Sequence, residues 1–165
     1  MQANLKSRFS YIVFVVLILF SDRVTKSAIV SNYDLGQPAS VVDGIFNITY
    51  VQNTGVAFGI LSGFSSPVKV LFLCLVAGIA AVVVIIYSLR NEPRNRLLQS
   101  ALALVLAGAL GNLYDRIRYG YVIDFLEFHA RGYYWPSFNI ADTSISVGVI
   151  LLVWEMFRNE ASGRA

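Results

Sequence analysis

The sequence predicts an all-α membrane protein of four transmembrane helices, with a small extracytoplasmic β-hairpin or sheet and a short interfacial helix. Three observations carry that expectation. The 165 residues are 56% hydrophobic and only 14% charged, against roughly 25% charged in an ordinary soluble domain. The apolar residues gather into four runs of near membrane-spanning length. The basic residues flank those runs and form no patch, which is the layout of orientation signals and excludes nucleic acid as a partner.

The first run predicts a helix over about 9–30, with Asp22, Arg23 and Lys26 in its second half. Lys6 and Arg8 before Tyr11 and the apolar stretch to Phe20 also fit a cleavable signal peptide, but SDRVTKSAIV lacks a small-x-small cleavage site, which favours a retained helix. The second helix is predicted over about 68–89, and its stretch 70–87 carries no charge. Those residues span about 27 Å as a helix, close to the roughly 30 Å of hydrocarbon. The third is predicted over about 97–115 and the fourth over about 139–157. Lipid offers no hydrogen bonds, so each run must pair its backbone internally as a helix. With no repeat, low-complexity tract or linker, 1–165 reads as one domain of an integral membrane protein, with membrane lipids as its surroundings.

The basic residues also set orientation. Lys6 and Arg8 precede the first helix, Arg90, Arg94 and Arg96 join the second to the third, and Arg158 and Arg164 follow the fourth. The loop after the first helix carries Asp34 and Asp43 and no base before Lys69. Both termini are therefore expected in the cytoplasm, with the other two connections outside. In the first of these, Asp43-Gly44 sits between β-branched residues of ASVVDGIFNITYV, a hairpin signal. Its strands are expected to end near Asn53-Thr54-Gly55. In the second, residues 117–136 end on Tyr133, Tyr134 and Trp135, which fits an interfacial belt and a short helix lying on the membrane.

Two carboxylates sit where lipid disfavours them. Asp124 lies in GYVIDFLEF and Asp142 one turn inside the fourth run. An ionised carboxylate in hydrocarbon costs about 2.5–3.5 kcal/mol on the insertion scale, so it needs a task or a partner. Brought together without a metal-binding set, two such groups suggest shared-proton acid–base chemistry. Taken alone, Asp124 also fits an ordinary loop aspartate.

The remaining polar residues have structural readings beside functional ones. Asn112, Asp115 and Arg116 share a face at the end of the third helix, where a capped end with a local Asp115–Arg116 pair explains the last two but not Asn112. Asn139 suits the cap of the fourth helix, with Asp142 too far in to be the cap itself. Asp22 and Lys26 are spaced to neutralise each other. Ala103, Ala107 and Gly111 form a small-xxx-small stripe for close helix packing. Cys74, the only cysteine, reads as a small hydrophobe. The lone His129 has no zinc partners, and GFSSP at 63–67 is not a nucleophile elbow. A non-enzymatic channel or transporter subunit explains intramembrane charges equally well. It leaves the hairpin and the charge-free second helix unexplained.

Five motifs then gather into one resemblance. DRVTK (22–26), NTGVAFG (53–59), GALGNLYDR (108–116), GYVIDF (120–125) and FNIAD (138–142) occur in the order and spacing of the bacterial lipoprotein signal peptidases, also called signal peptidase II. The chain resembles that family over essentially its whole length. Ala107, Thr143 and Val56 are mild departures.

The resemblance implies an aspartic endopeptidase with Asp124 and Asp142 catalytic. It implies support from Asn53, Asn112, Arg116 and Asn139, with Asp22, Lys26 and Asp115 as polar residues in structural or positioning roles. Asn112 and Arg116 are expected to hydrogen-bond the substrate backbone. It further implies a diacylglyceryl-modified prolipoprotein substrate cut just before the lipidated cysteine, and inhibition by globomycin. No metal or cofactor is expected. The implied location is the bacterial inner membrane, with the site near the extracytoplasmic face.

Overall fold

Backbone surrounded by lipid must close its own hydrogen bonds, and the four apolar runs do so as helices. They are α1 (Gln2–Asn32), α2 (Pro67–Arg90), α3 (Arg96–Tyr119) and α4 (Ile140–Ala161). The computed structural model describes residues 2–55 and 67–161, with side chains over 8–55 and 67–158. Val56 and the residues after it in the NTGVAFG motif, most of GFSSP, and the side chains of Lys6 and Arg164 lie outside the described residues. Helices α2, α3 and α4 are long and apolar enough to cross a membrane. Over its described residues α1 does not meet that measure. Asp22, Arg23 and Lys26 interrupt its apolar run.

Small residues make α3 the hub of the bundle. All three other helices pack along it, while α2 makes no comparable contact with α4. Val15 of α1, Ala81 of α2, and Ala103, Leu106 and Ala107 of α3 form one buried cluster. Against α4 the fit is backbone on backbone. A Cβ on Gly108 would collide with the Ala141 carbonyl oxygen, and one on Gly148 would stand 2.8 Å from that of Ala101. Between lipid-bathed helices, where no hydrophobic drive separates protein from tail, such close approach is what holds them.

Helix ends away from the site are closed by side chains. Arg8 donates to the last carbonyls of α2, Ser88 at 2.7 Å and Leu89 at 3.1 Å. Asn95 caps α3 by accepting from Leu98 N–H, and its amide donates to Glu155 of α4 at 2.6 Å. Gly120, at φ 81°, ends α3 in the left-handed conformation.

The expected hairpin forms as β1 (Ala39–Val42) and β2 (Phe46–Asn53), turning at Gly44. The interfacial helix expected within 117–136 does not form. That stretch becomes β3 (Val122–Ala130) and β4 (Tyr133–Tyr134), giving an antiparallel sheet in the order β1-β2-β3-β4. Two causes favour strand over helix. The stretch VIDFLEF is rich in β-formers, and β2 without β3 would leave a row of unpaired backbone groups. Arg131 and Gly132 both take positive φ, the tight turn that folds β4 back on β3. Ile123 and Phe125 then pack with Tyr50 and with Ile29 of α1 in a second buried cluster, which fixes the sheet over one end of the bundle. Tyr133, Tyr134 and Trp135 remain exposed.

The glycine contacts yield a stability test. Gly108→Ala should destabilise the protein by about 1–3 kcal/mol, the usual cost of overpacking. Gly78→Ala, where the added methyl meets nothing within 4 Å, should be neutral or slightly stabilising. Thermal unfolding of the two variants in detergent checks the contrast.

Candidate active site

The site is built where α1, the end of α3, the start of α4 and the sheet meet. Its foundation is ionic. Lys26 is fully buried, and its ammonium meets Asp22 Oδ2 at 2.9 Å, Asp115 Oδ2 at 2.8 Å and Asn112 Oδ1 at 3.2 Å. The expected Asp22–Lys26 pair is present within this larger cluster. The local Asp115–Arg116 pair is not. Asp115 turns to α1, where Arg23 also pairs with it, and it accepts from Ile123 N–H at 3.3 Å. An i,i+1 pair points in different directions on a helix, so the partner from a neighbouring helix wins.

Helix α4 begins in a reciprocal cap. Asn139 Oδ1 accepts from Asp142 N–H at 2.9 Å, while Asp142 Oδ2 accepts from Asn139 N–H at 3.3 Å. Asn139 is the expected cap residue, and Asp142 takes the third helical position, as in a capping box. Ala141 N–H, another orphan of this helix start, donates to Asp22 Oδ1 at 3.0 Å. The same α1 carboxylate thus touches both Lys26 and the entrance of α4. It fits because Gly111 is there: a Cβ would lie 2.9 Å from Asp22 Oδ2.

Strand β3 delivers Asp124 to the same place. Asn53, at the end of β2, donates to its Oδ2 at 2.8 Å, and Asn139 to its Oδ1 at 2.7 Å. Asp142 Oδ1 accepts from Asn112 Nδ2 at 2.7 Å. Asn139 therefore bonds to both carboxylate residues, and Asn112 links Asp142 to Lys26. Asp124 is buried, and Asp142 is half-buried. Arg116 reaches the carbonyl of Gly55 at 3.0 Å, and its charge lies within electrostatic range of both aspartates. All nine site residues expected from the sequence thus meet in one constellation.

Three participants escaped sequence reasoning. Arg23 pairs with Asp115 and lies 4.4 Å over the Tyr114 ring. A base one residue after an intramembrane aspartate was the available signal. The Gly55 carbonyl and the Ala141 N–H had none, because backbone groups carry no residue type. The amide of Asn112, expected to face substrate, is engaged inside the protein.

Burial, and next the neighbouring charge of Asp142, push the Asp124 carboxyl up to about 7; the bonds from Asn53 and Asn139 and the charge of Lys26 oppose the rise. Among the described residues no group of His, Cys, Asp and Glu is arranged to hold a metal ion. A protonated and an ionised carboxyl side by side can give and take a proton in one step.

The raised group has a readable titration. Its folded value exceeds the ordinary 3.8, so its contribution to stability is greatest below that value and is lost as pH rises through about 7. Infrared difference spectra should show a protonated-carboxyl band that titrates near pH 7 and is absent from Asp124→Asn. A band fully gone by pH 5 would contradict the raised value.

Comparison with known proteins places these residues in a wider setting. The family model described as signal peptidase (SPase) II matches residues 14–158. A lipoprotein signal peptidase of Syntrophus aciditrophicus is 45% identical over 150 residues, covering 91% of this chain and 93% of that protein. One of Geobacter sulfurreducens is 43% identical over 154 residues, covering 92% and 95%. Among solved structures, one described as a bacterial membrane enzyme determined by the in meso method superposes with a TM-score of 0.84 at 34% identity, covering 93% of this chain and 90% of that one.

Proposed function

The chain belongs to the signal peptidase II family, and on that premise we propose that it is an intramembrane aspartic endopeptidase with Asp124 and Asp142 as its catalytic pair. It removes the signal peptide from diacylglyceryl-modified prolipoproteins, cutting just before the lipidated cysteine. The observation that carries the mechanism is the joint hold of Asn139 on both aspartate residues, with Asp124 pushed up to about 7.

Charge balance supports a shared proton. Around the pair stand three cations, Arg23, Lys26 and Arg116, and four carboxyls, Asp22, Asp115, Asp124 and Asp142. One proton on the pair makes the cluster neutral, which is the favoured state in a medium that disfavours net charge. The step is written with that shared proton on Asp124 as the acid and with Asp142 as the base.

A water between them loses a proton to Asp142 as its oxygen attacks the scissile carbonyl carbon. Asp124 gives its proton to the carbonyl oxygen, forming the neutral tetrahedral diol. Collapse then breaks the C–N bond. Asp142 returns its proton to the leaving amine, and Asp124 recovers one from the diol. The resting protonation is restored, and the products are the signal peptide's new carboxyl and the free amine of the cysteine. The pair titrates as one unit with macroscopic values.

Substrate access follows from the packing. Substrate entry is placed between α2 and α4, which both pack on α3 without comparable contact between them, with Asp142 half-buried at the start of α4. Two acyl chains, at about 0.8 kcal/mol per buried methylene, keep the substrate in the leaflet at that depth. Arg116, holding Gly55, fixes the backbone that follows β2 beside the pair. Globomycin-type inhibitors belong in the same opening. All four helices span the bacterial inner membrane, both termini are cytoplasmic, and the site lies near the extracytoplasmic face.

The direct assay is cleavage of a diacylglyceryl-modified prolipoprotein by the purified protein in detergent. Asp124→Asn and Asp142→Asn should each lower turnover at least about a thousandfold, and the double variant should be little worse, since groups acting as a unit are non-additive. Near-normal cleavage by Asp142→Asn would sink the assignment.

Orientation is checked separately by reporter fusions. One placed after Arg94 should report cytoplasm and one after Gly44 the exterior; the reverse pattern would invert the topology.

A further inference from the structure

We propose that Lys26 is a positioning residue for the reaction, its ammonium holding the Asn112 amide with oxygen toward α1 and nitrogen toward Asp142. The inference deepens the peptidase reading and rests on it. An ammonium has three hydrogens, and Lys26 Nζ meets three acceptors: Asp22 Oδ2, Asp115 Oδ2 and Asn112 Oδ1. Asn112 is the neutral one, and its opposite end donates to Asp142 Oδ1 at 2.7 Å. Turning that amide by half a rotation would set NH2 against NH3+ and C=O against a carboxylate. Both contacts would become repulsive, in a place where no water relieves them.

The simpler account, that Lys26 only neutralises Asp22 and Asp115, leaves its third bond without a purpose. Asp115 already has Arg23 and Ile123 N–H, and Asp22 has Ala141 N–H. Among the described residues the Asn112 side-chain oxygen has, besides Lys26, only a 3.3 Å contact from Asn139, whose amide bonds more closely to Asp124 at 2.7 Å. Lys26 is thus the stronger constraint on the amide that orients Asp142.

Its charge acts on Asp124 as well. Facing Asp124 are Lys26 from α1, Arg116 from α3, Asp142 from α4, and the amides of Asn53 and Asn139, with Asp22 and Asp115 paired to Lys26. Of these, the amides of Asn53 and Asn139 and then the charge of Lys26 favour the ionised form of Asp124, and Asp142 opposes it. Removing the ammonium therefore moves the Asp124 titration to higher pH.

The test removes one cation and one anion together, so that no uncompensated charge is left in the bundle. Lys26→Met combined with Asp22→Asn is compared with Asp22→Asn alone, using purified protein and a diacylglyceryl-modified prolipoprotein. The methionine step should lower kcat about a hundredfold, as misplaced catalytic groups do, with KM changed by less than about threefold. The alkaline limb of the pH profile should move up by about one unit, the size expected for losing one nearby opposite charge. In an Asn112→Ala background the same step should cost less than about threefold, because the amide it acts through is gone.

A folded paired variant with unchanged kcat and limb overturns the proposal, as does a full loss repeated in the Asn112→Ala background. Should the paired variant fail to fold, Lys26→Arg decides. It keeps the charge but presents a planar fork that cannot converge on three acceptors. It should retain the wild-type limb with lowered kcat, and a normal kcat overturns the proposal. Failure of the wild type itself to cleave, unlike any Lys26 result, counts against the peptidase reading.

Discussion

Burying charge inside a lipid-bathed bundle is the constraint on which the rest of this molecule depends. An ammonium with no exposed surface survives only if its hydrogens are met, and Lys26 meets two carboxylates and an amide. Those acceptors come from α1 and α3, so satisfying the charge also sets the register of one helix against the other. Asp22 extends the same network to α4 through Ala141 N–H. The three helices that carry the site are tied together by groups that cannot be left unpaired. The penalty for leaving them unpaired specifies their positions, even where the net stabilisation of the ion pairs is small.

Glycine makes that network geometrically possible. Gly111 leaves room for Asp22, and Gly108 leaves room for the α4 backbone at Ala141. Without that approach the start of α4 would stand too far from α1 for Asp22 to take its orphan N–H. Packing and polar bonding therefore converge on one point, the entrance of α4. Asp142 sits there in the reciprocal cap, with its carboxylate oriented by its own helix as well as by Asn112.

The sheet completes the arrangement from the other side. Asp142 comes from a helix within the bundle, and Asp124 from a strand lying across the bundle's end. β3 lies there because it pairs along β2 and packs Ile123 and Phe125 against Tyr50 and Ile29. β2 at the same time brings Asn53 opposite Val122, within reach of Asp124. Arg116 then ties the segment after β2 to α3 through Gly55. Polar side chains from two strands and from the facing ends of α3 and α4 are thereby brought together.

Hydrophobic runs, hairpin chemistry and isolated intramembrane carboxylates were legible in the sequence because each is local: a helix of lipid-facing residues, an Asp43-Gly44 turn and an Asp142 inside an apolar stretch declare themselves over a few residues. The five motifs likewise marked the residues that meet at the site. What the sequence left undecided depends on partners distant along the chain. Residues 117–136 suggested an amphipathic helix until β2 offered a strand edge to pair with. Asp115 had a basic neighbour at Arg116, yet the third dimension supplied Lys26 and Arg23 from α1 in a better position. Asn112 looked free to face substrate, and only the approach of α1 and α4 turned both ends of its amide inward. Residue type and spacing fix which groups must find partners; the packing of α3 against its neighbours decides which partners they find, because in lipid there is no water to serve instead.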